Sequence, residues 1–106
     1  MNKEDLRRHE RVLVPESCQI RVKGNGKGPQ LEGSVSVIGL GGMFVRTKIP
    51  PAPGSTHHVV LTCPNVSLES ECTVVHVKPN GMGVELTRLT PENEEKLKAL
   101  LLKLKS

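Results

Sequence analysis

Most of the chain alternates apolar and polar residues with a period of two, which is the pattern of half-buried β-strands. In residues 17–23, for example, Cys18, Ile20 and Val22 alternate with polar neighbours. Glycines within residues 39–42 predict a bulge or a close approach of two backbones, and residues 78–81 predict a hairpin turn. Together these patterns predict about six strands, over residues 17–23, 30–38, 42–48, 57–63, 66–78 and 81–89.

The pattern changes to a helical period at the end of the sequence. Residues 91–105 predict an α-helix, with Thr90 as the N-cap and Pro91 as the first helical residue. An apolar stripe follows at helical spacing and consists of Leu97, Leu100, Leu101 and Leu104. The stripe favours packing on the open end of the β-structure, because an isolated helix of this length is marginal in water. Pairing with a second chain is the alternative, so we expect a monomer or a weak dimer through this helix.

The order of these elements predicts the fold class. Several short antiparallel strands with Gly and Pro turns, followed by one helix, are typical of a small barrel. We therefore predict a mainly β protein, a six-stranded antiparallel β-barrel with a C-terminal α-helix. Residues 1–14 mix both charge signs and lead into Pro15. We expect a flexible basic arm at 1–14 and a barrel domain at 15–106, with its helix at 91–105.

Composition narrows the classes of function. The 106 residues suit one domain, and a net charge of +4 favours anionic partners. The one aromatic residue is Phe44, so we expect an aliphatic core and no base-stacking platform for a nucleic acid polymer. No apolar run approaches the roughly 20 residues of a membrane helix, so no membrane association is predicted. Three cysteines without CxxC spacing, and no signal peptide, favour the cytoplasm.

The cysteines and histidines offer a weak alternative chemistry. Cys72 and His76 are expected to share a strand face, with His57, His58 and Cys63 nearby in sequence. Adjacent histidines on a strand point to opposite faces, however, and the spacing fits no common zinc motif. A cysteine nucleophile would also need a third group that orients its base, and none is evident. We predict no metal, no cofactor and no enzymatic activity, with both cysteines as small core residues.

Several motifs, in this order, resemble the PilZ domain family. "RRHER" fits the RxxxR element, with Arg7 and Arg11 at the two arginine positions. "LGGMFV", "PPAPGSTHHVVL" and "GMGVEL" resemble the glycine-containing strand, the proline-glycine loop before a strand, and the late GxGVxF-type strand. The resemblance spans nearly the whole chain. It implies a PilZ-like barrel that acts as a bacterial, cytoplasmic receptor for the second messenger cyclic di-GMP and is not an enzyme.

The chemistry of the arm agrees with this role. Cyclic di-GMP carries two phosphodiester charges and two guanines, and arginine can bind a phosphate or the O6 and N7 edge of guanine bidentately. Arg7 and Arg11 would close over the ligand, and Arg8 would add a cation or a stacking plane. A downstream protein partner would then sense the newly covered surface. The alternative is a solvated charge run paired with Glu4, Asp5 and Glu10.

The second motif of the family, D/N-x-S-x-x-G, is incomplete here. Aligned on "GGMFV", it places Val37 at the Asp or Asn, Gly39 at the serine and Gly42 at the final glycine. A second register retains Ser36 as the serine, with Ser34 in the Asp or Asn place. The candidate ligand-binding residues are therefore Arg7, Arg8, Arg11, Ser36, Gly39 and Gly42. Loss of two side-chain partners leaves an alternative function, a degenerate PilZ domain that binds no nucleotide and acts through protein contacts.

Overall fold

The structure is a computed structural model that describes residues 11–15, 20–24, 31–63 and 66–105. Within these residues the fold contains seven β-strands and one helix. In chain order these elements are β1 (Arg11–Leu13), β2 (Arg21–Gly24), β3 (Glu32–Gly39), β4 (Gly42–Arg46), β5 (Thr56–Thr62), β6 (Ser67–Lys78), β7 (Gly81–Thr87) and α1 (Pro91–Lys105).

Six of the strands close into an antiparallel barrel in the order β3-β2-β5-β6-β7-β4, because β4 also pairs with β3. The predicted six-stranded barrel with a C-terminal helix is therefore confirmed. The additional strand is β1, which pairs with the second half of β3, whereas β2 pairs with the first half. The arm expected at residues 1–14 thus contains a short strand at 11–13, and its residues 1–10 lie outside the described residues.

Two β-bulges in the described strands change which side chains point into the barrel and which point outwards. Ser36 is the extra residue of β3 opposite β4, and Val75 is the extra residue of β6 opposite β7. At residues 39–42 the sequence predicted a bulge or a close approach. Positions 40 and 41 instead connect β3 to β4 as a hairpin, and the close approach occurs at Gly42, where a Cβ atom would collide with the Val84 carbonyl oxygen. The predicted hairpin turn at 78–81 joins β6 to β7.

The core is aliphatic, as the composition predicted. Ile38, Val45 and Leu61 are completely buried in it, and the predicted core cysteines Cys63 and Cys72 are buried among them. A buried polar residue is also satisfied, since the Ser70 hydroxyl is within hydrogen-bond distance of two backbone carbonyls, at 2.9 and 3.0 Å. Among the described residues, the interior of the barrel is thus packed with aliphatic side chains.

The helix seals one side of the barrel. Thr90 is its N-cap, since its hydroxyl accepts a hydrogen bond from the Asn93 amide at 3.2 Å. Asn93 in turn accepts a hydrogen bond from the Glu69 amide at 3.2 Å, which ties the first turn of α1 to β6. The predicted stripe packs on the barrel core, with Leu97, Leu100 and Leu101 buried and Leu104 partly buried. Within the described residues, no helix is long and apolar enough to span a membrane.

We expect the stability of the fold to fall at alkaline pH because of Cys72. Burial raises the pKa of its thiol from the ordinary 9.0 to about 11. The folded state therefore holds this proton more tightly than the unfolded state, so the stabilisation is complete below the unfolded pKa and is lost as the pH rises through the folded pKa. The free energy of unfolding, measured by denaturation between about pH 8 and about pH 11, should fall less steeply in Cys72→Ala.

A matched control separates titration from packing. Val74→Ala also removes buried atoms from β6 but removes no ionisable group. It should therefore lower stability at every pH and keep the alkaline slope of the wild-type protein. Equal alkaline slopes for the wild-type protein and Cys72→Ala would contradict the assignment.

Candidate ligand-binding site

A cavity of about 580 Å³ lies on the outer face of the barrel, beside the β3–β4 hairpin. Four of the residues that line it are glycines, Gly39, Gly41, Gly42 and Gly83, and the apolar residues Met43, Val75 and Val84 line it too. Charged and aromatic side chains line it as well, and these are Arg11, His76 and Glu85. At the glycines, a flat, polar ligand can approach the backbone closely.

Arg11 reaches the cavity because β1 pairs with β3. It lies directly opposite Gly39, while the next residue, Val12, lies opposite the fully buried Ile38. Directly opposed residues share a face, and successive residues alternate between faces. Val12 therefore packs towards the core, and Arg11 is exposed on the outer face above Gly39.

Gly42 has a structural reason to be glycine. It lies opposite Glu85 in the β4–β7 pair, and a Cβ atom at this position would collide with the carbonyl oxygen of Val84. The neighbouring turn is fixed by the Leu86 amide, which donates to the Gly41 carbonyl at 3.0 Å. These contacts hold the hairpin close to β7 and so shape the floor of the cavity.

The Val75 bulge places His76 on the outer face. Before the bulge, Cys72 and Val74 point into the core; after it, His76 lies opposite Gly83 with its ring over the glycine. A Cβ atom at Gly83 would lie 2.6 Å from the His76 Nε2 atom, so a side chain at this position would displace the ring. The expectation that Cys72 and His76 share a strand face is wrong, because it assumed regular alternation through β6.

Phe44 is also on the outer face, next to the histidine. Its ring centroid lies 6.5 Å from that of His76, with 34° between the ring planes. The one aromatic residue of the sequence is thus outside the aliphatic core and supports the histidine at the edge of the cavity. The His76 ring, which lines the cavity, offers a plane to an aromatic ligand.

Glu85 enters the cavity from the side opposite Arg11. It is an exposed residue of β7, opposite Gly42, whereas Arg11 lies on β1 opposite Gly39. The four strands run in the order β1, β3, β4, β7 across this region, so three interstrand spacings, about 14 Å along the curved sheet, lie between β1 and β7. The cavity therefore presents a cation and a carboxylate from opposite walls.

The structure brings together three of the six residues that the sequence selected, Arg11, Gly39 and Gly42. Ser36 is not among the residues that line the cavity; it forms the β3 bulge, and its carbonyl accepts the Val14 amide at 2.9 Å. Arg7 and Arg8 lie outside the described residues. Sequence reasoning did not select His76, Gly83 or Glu85 as ligand-binding residues. The predicted hairpin turn at 78–81, beside "GMGVEL", was the available signal, because it indicates that β6 and β7 are paired.

A second, basic groove of about 430 Å³ lies at the other end of β3 and β4. Arg21, Arg46 and Lys48 line it, and Arg21 forms an ion pair with Glu32 at 3.6 Å. These side chains are remote from the glycine-floored cavity along the strands, which makes them useful controls.

Of the β5 histidines, His57 lies directly opposite Cys72 in the β5–β6 pair, and His58 points to the other face. His57 lies 2.9 Å from the Ser55 hydroxyl, and His58 forms an exposed pair with Glu69 at 3.2 Å. Across the described part of the chain, no three His, Cys, Asp or Glu side chains cluster in a way that suits a metal ion. The described residues therefore offer the glycine-floored cavity, not a metal site, as the place for ligand chemistry.

A closed antiparallel barrel with a C-terminal helix and a glycine-lined outer cavity defines a class of small binding domains. The chain belongs to one family of this class, because the PilZ domain model matches residues 5–103. No curated protein matches the chain by sequence.

Solved structures share the fold at low sequence identity. The PilZ domain of YcgR from Escherichia coli, solved with c-di-GMP, is 13% identical, with a TM-score of 0.77 over 93% of this chain and 91% of that chain. The PilZ domain of CeSA from a cellulose-synthesizing bacterium is 13% identical, with a TM-score of 0.69 over 92% of this chain and 99% of that chain.

A third structure belongs to a longer protein. The MrkH–c-di-GMP complex of K. pneumonia is 15% identical, with a TM-score of 0.78 over 89% of this chain. This chain spans about half of MrkH, 48% and 49% of the chain in two solved structures.

Proposed function

We propose that this PilZ domain is a receptor for cyclic di-GMP and binds the nucleotide in the glycine-floored cavity. The observation that carries the proposal is the placement of Arg11, the second arginine of the RxxxR pattern, directly above Gly39 at the edge of that cavity. YcgR and MrkH, which share the fold, were solved with this nucleotide and support the choice of ligand.

The ligand chemistry suits this cavity. The Arg11 guanidinium is a planar fork that can donate two parallel hydrogen bonds to a phosphate or to guanine O6 and N7. The glycines admit the ligand close to backbone amides, and the outer face of the His76 ring offers a plane for a guanine base. Arg7 and Arg8, which precede Arg11 on the arm, would add charge for the two phosphodiesters.

The domain would signal by shape and charge, with no chemical step. We place it in the bacterial cytoplasm, where this second messenger is made and read, with cyclic di-GMP as its ligand and no other cofactor. A ligand that bridges the arm to the barrel changes the surface near β1, and a downstream protein partner would recognise that surface. No feature of the described residues, and none of the matched structures, favours the non-binding alternative.

Arg11→Ala tests this function most directly. We expect it to weaken cyclic di-GMP binding about tenfold, because it removes a charge-assisted bidentate contact. Calorimetric titration of both proteins with cyclic di-GMP measures the effect, and cyclic di-AMP tests whether the wild-type protein selects guanine.

Arg21→Ala is the matched control for this experiment. It removes the same charge from an exposed strand position in the second groove, remote from the cavity. It should leave the dissociation constant unchanged. Equal losses in the two variants would indicate non-specific attraction, and no binding by the wild-type protein would overturn the proposed function.

A further inference from the structure

The carboxylate of Glu85 needs an explanation in a cavity meant for a dianionic ligand. Glu85 lines the cavity on the exposed outer face of β7. Neither an ion pair nor a hydrogen bond joins its side chain to any described residue. Next to a phosphodiester this charge would be repulsive, so it is compatible with the ligand only if it faces a hydrogen-bond donor.

Guanine provides such a donor edge. An ionised carboxylate is an acceptor with two oxygens and no donor. On guanine, O6 and N7 are acceptors, while N1–H and the exocyclic N2 amine are donors on a different side of the ring. Arginine therefore complements the first edge, and a carboxylate complements the second.

The two side chains are placed for this division of roles. Arg11 enters from β1 and Glu85 from β7, on opposite sides of the β3–β4 hairpin, with the glycine floor between them. The position on β3 where the family pattern has Asp or Asn is the apolar Val37, which supplies no acceptor side chain. The carboxylate in the cavity comes from β7 instead.

We propose that Glu85 is the residue that selects guanine, by accepting hydrogen bonds from the N1–H and N2 amine of a base whose O6 and N7 face Arg11. This assignment rests on the proposed function, since it concerns the same cavity and nucleotide. It identifies a specificity residue that lies outside the RxxxR and D/N-x-S-x-x-G motifs, within "GMGVEL".

Two nucleotides and three variants test the assignment. Cyclic di-IMP is the inosine analogue of cyclic di-GMP and lacks the exocyclic N2 amine. The wild-type protein should bind cyclic di-GMP about tenfold more tightly than cyclic di-IMP, because the Glu85 carboxylate loses its hydrogen bond from the N2 amine in the analogue. Glu85→Ala should weaken cyclic di-GMP binding by more than about tenfold, because it removes the acceptor of both N1–H and the N2 amine, and should weaken cyclic di-IMP binding by less, because only the N1–H contact is lost, so that the variant binds both nucleotides about equally. The isosteric Glu85→Gln should lose most of the same preference.

Glu32→Gln is the matched control. It removes one negative charge from an exposed position on β3 that lines the second groove, and it should retain the wild-type affinity and preference. Melting curves by circular dichroism verify that every variant is folded.

Failure of this inference is distinguishable from failure of the proposed function. If the wild-type protein binds cyclic di-GMP and Glu85→Ala binds it equally or more tightly, the role of Glu85 is overturned while the receptor function stands. If Glu85→Ala weakens the binding of both nucleotides equally, the carboxylate does not read the N2 amine of the base, which also overturns the assignment. If the wild-type protein binds neither nucleotide, both proposals fall.

Discussion

Leu97→Ala is expected to lower the free energy of unfolding by about 2–5 kcal/mol, the range for a leucine truncated in a packed core. Leu97 is 0% exposed and belongs to the cluster that fills the barrel. The cost combines the lost burial of the removed atoms with the cavity they leave. The sequence has no Trp or Tyr, so denaturation followed by far-ultraviolet circular dichroism is the suitable measurement.

Leu102→Ala is the matched control on the opposite face of α1. Leu102 is 68% exposed, so the same substitution should change stability by no more than about 0.5 kcal/mol. A large effect at Leu97 together with a small one at Leu102 establishes that the helix is part of the barrel core. Comparable small effects at both positions would mean that the leucine stripe contributes little to folding.

The sequence predicted the barrel and helix well because their signals are local. Period-two alternation identifies each long strand, and the cap formed by Thr90 and Pro91 identifies the start of α1. β1 was missed because three residues are too few to show a period. The bulges at Ser36 and Val75 were missed because an extra residue is defined only against the partner strand, which the sequence does not reveal.

Of the candidate site, the sequence predicted only residues that belong to the RxxxR and D/N-x-S-x-x-G motifs. Arg11, Gly39 and Gly42 were selected from patterns close together in sequence, and the structure gathers them in one cavity. His76 and Glu85 come from β6 and β7, more than thirty residues later, and reach the cavity through the pairing of β7 with β4. Long-range pairing of this kind has no local signal. In addition, the Val75 bulge places His76 on the outer face, whereas regular alternation along β6 would place it on the inner face.

The double substitution Val37→Asn and Gly39→Ser is expected to strengthen cyclic di-GMP binding about 10- to 100-fold. It restores the two side chains of the family pattern, and each new hydrogen bond to a base contributes about 1 kcal/mol or more, where 1.4 kcal/mol is tenfold in affinity. Val37 is partly buried and Gly39 is buried. Gly39 is paired within β3 and so has the extended backbone that serine adopts, and the described glycine with positive φ is Gly54.

The expected gain depends on where the two side chains point. Val37 lies opposite Leu13 on one side and Phe44 on the other, on the outer face that also carries Arg11 and Gly39. An asparagine there loses some contact with Phe44, a small cost at a position that is only partly buried. In return it places an acceptor and donor beside the cavity, next to the hydroxyl at 39. Because the nucleotide carries two guanines, these groups can add to the contacts of Arg11 and Glu85.

Titration calorimetry of the double variant against the wild-type protein measures the gain. Val60→Asn is the control, since it makes the same change on the outer face of β5, away from the cavity, and should leave affinity unchanged. A gain in the double variant alone shows that the nucleotide lies against β3, between the arm and the hairpin. If affinity is unchanged or falls while Arg11→Ala still weakens binding, the base lies towards β7, and recognition in this chain depends on the arm and β7 without β3.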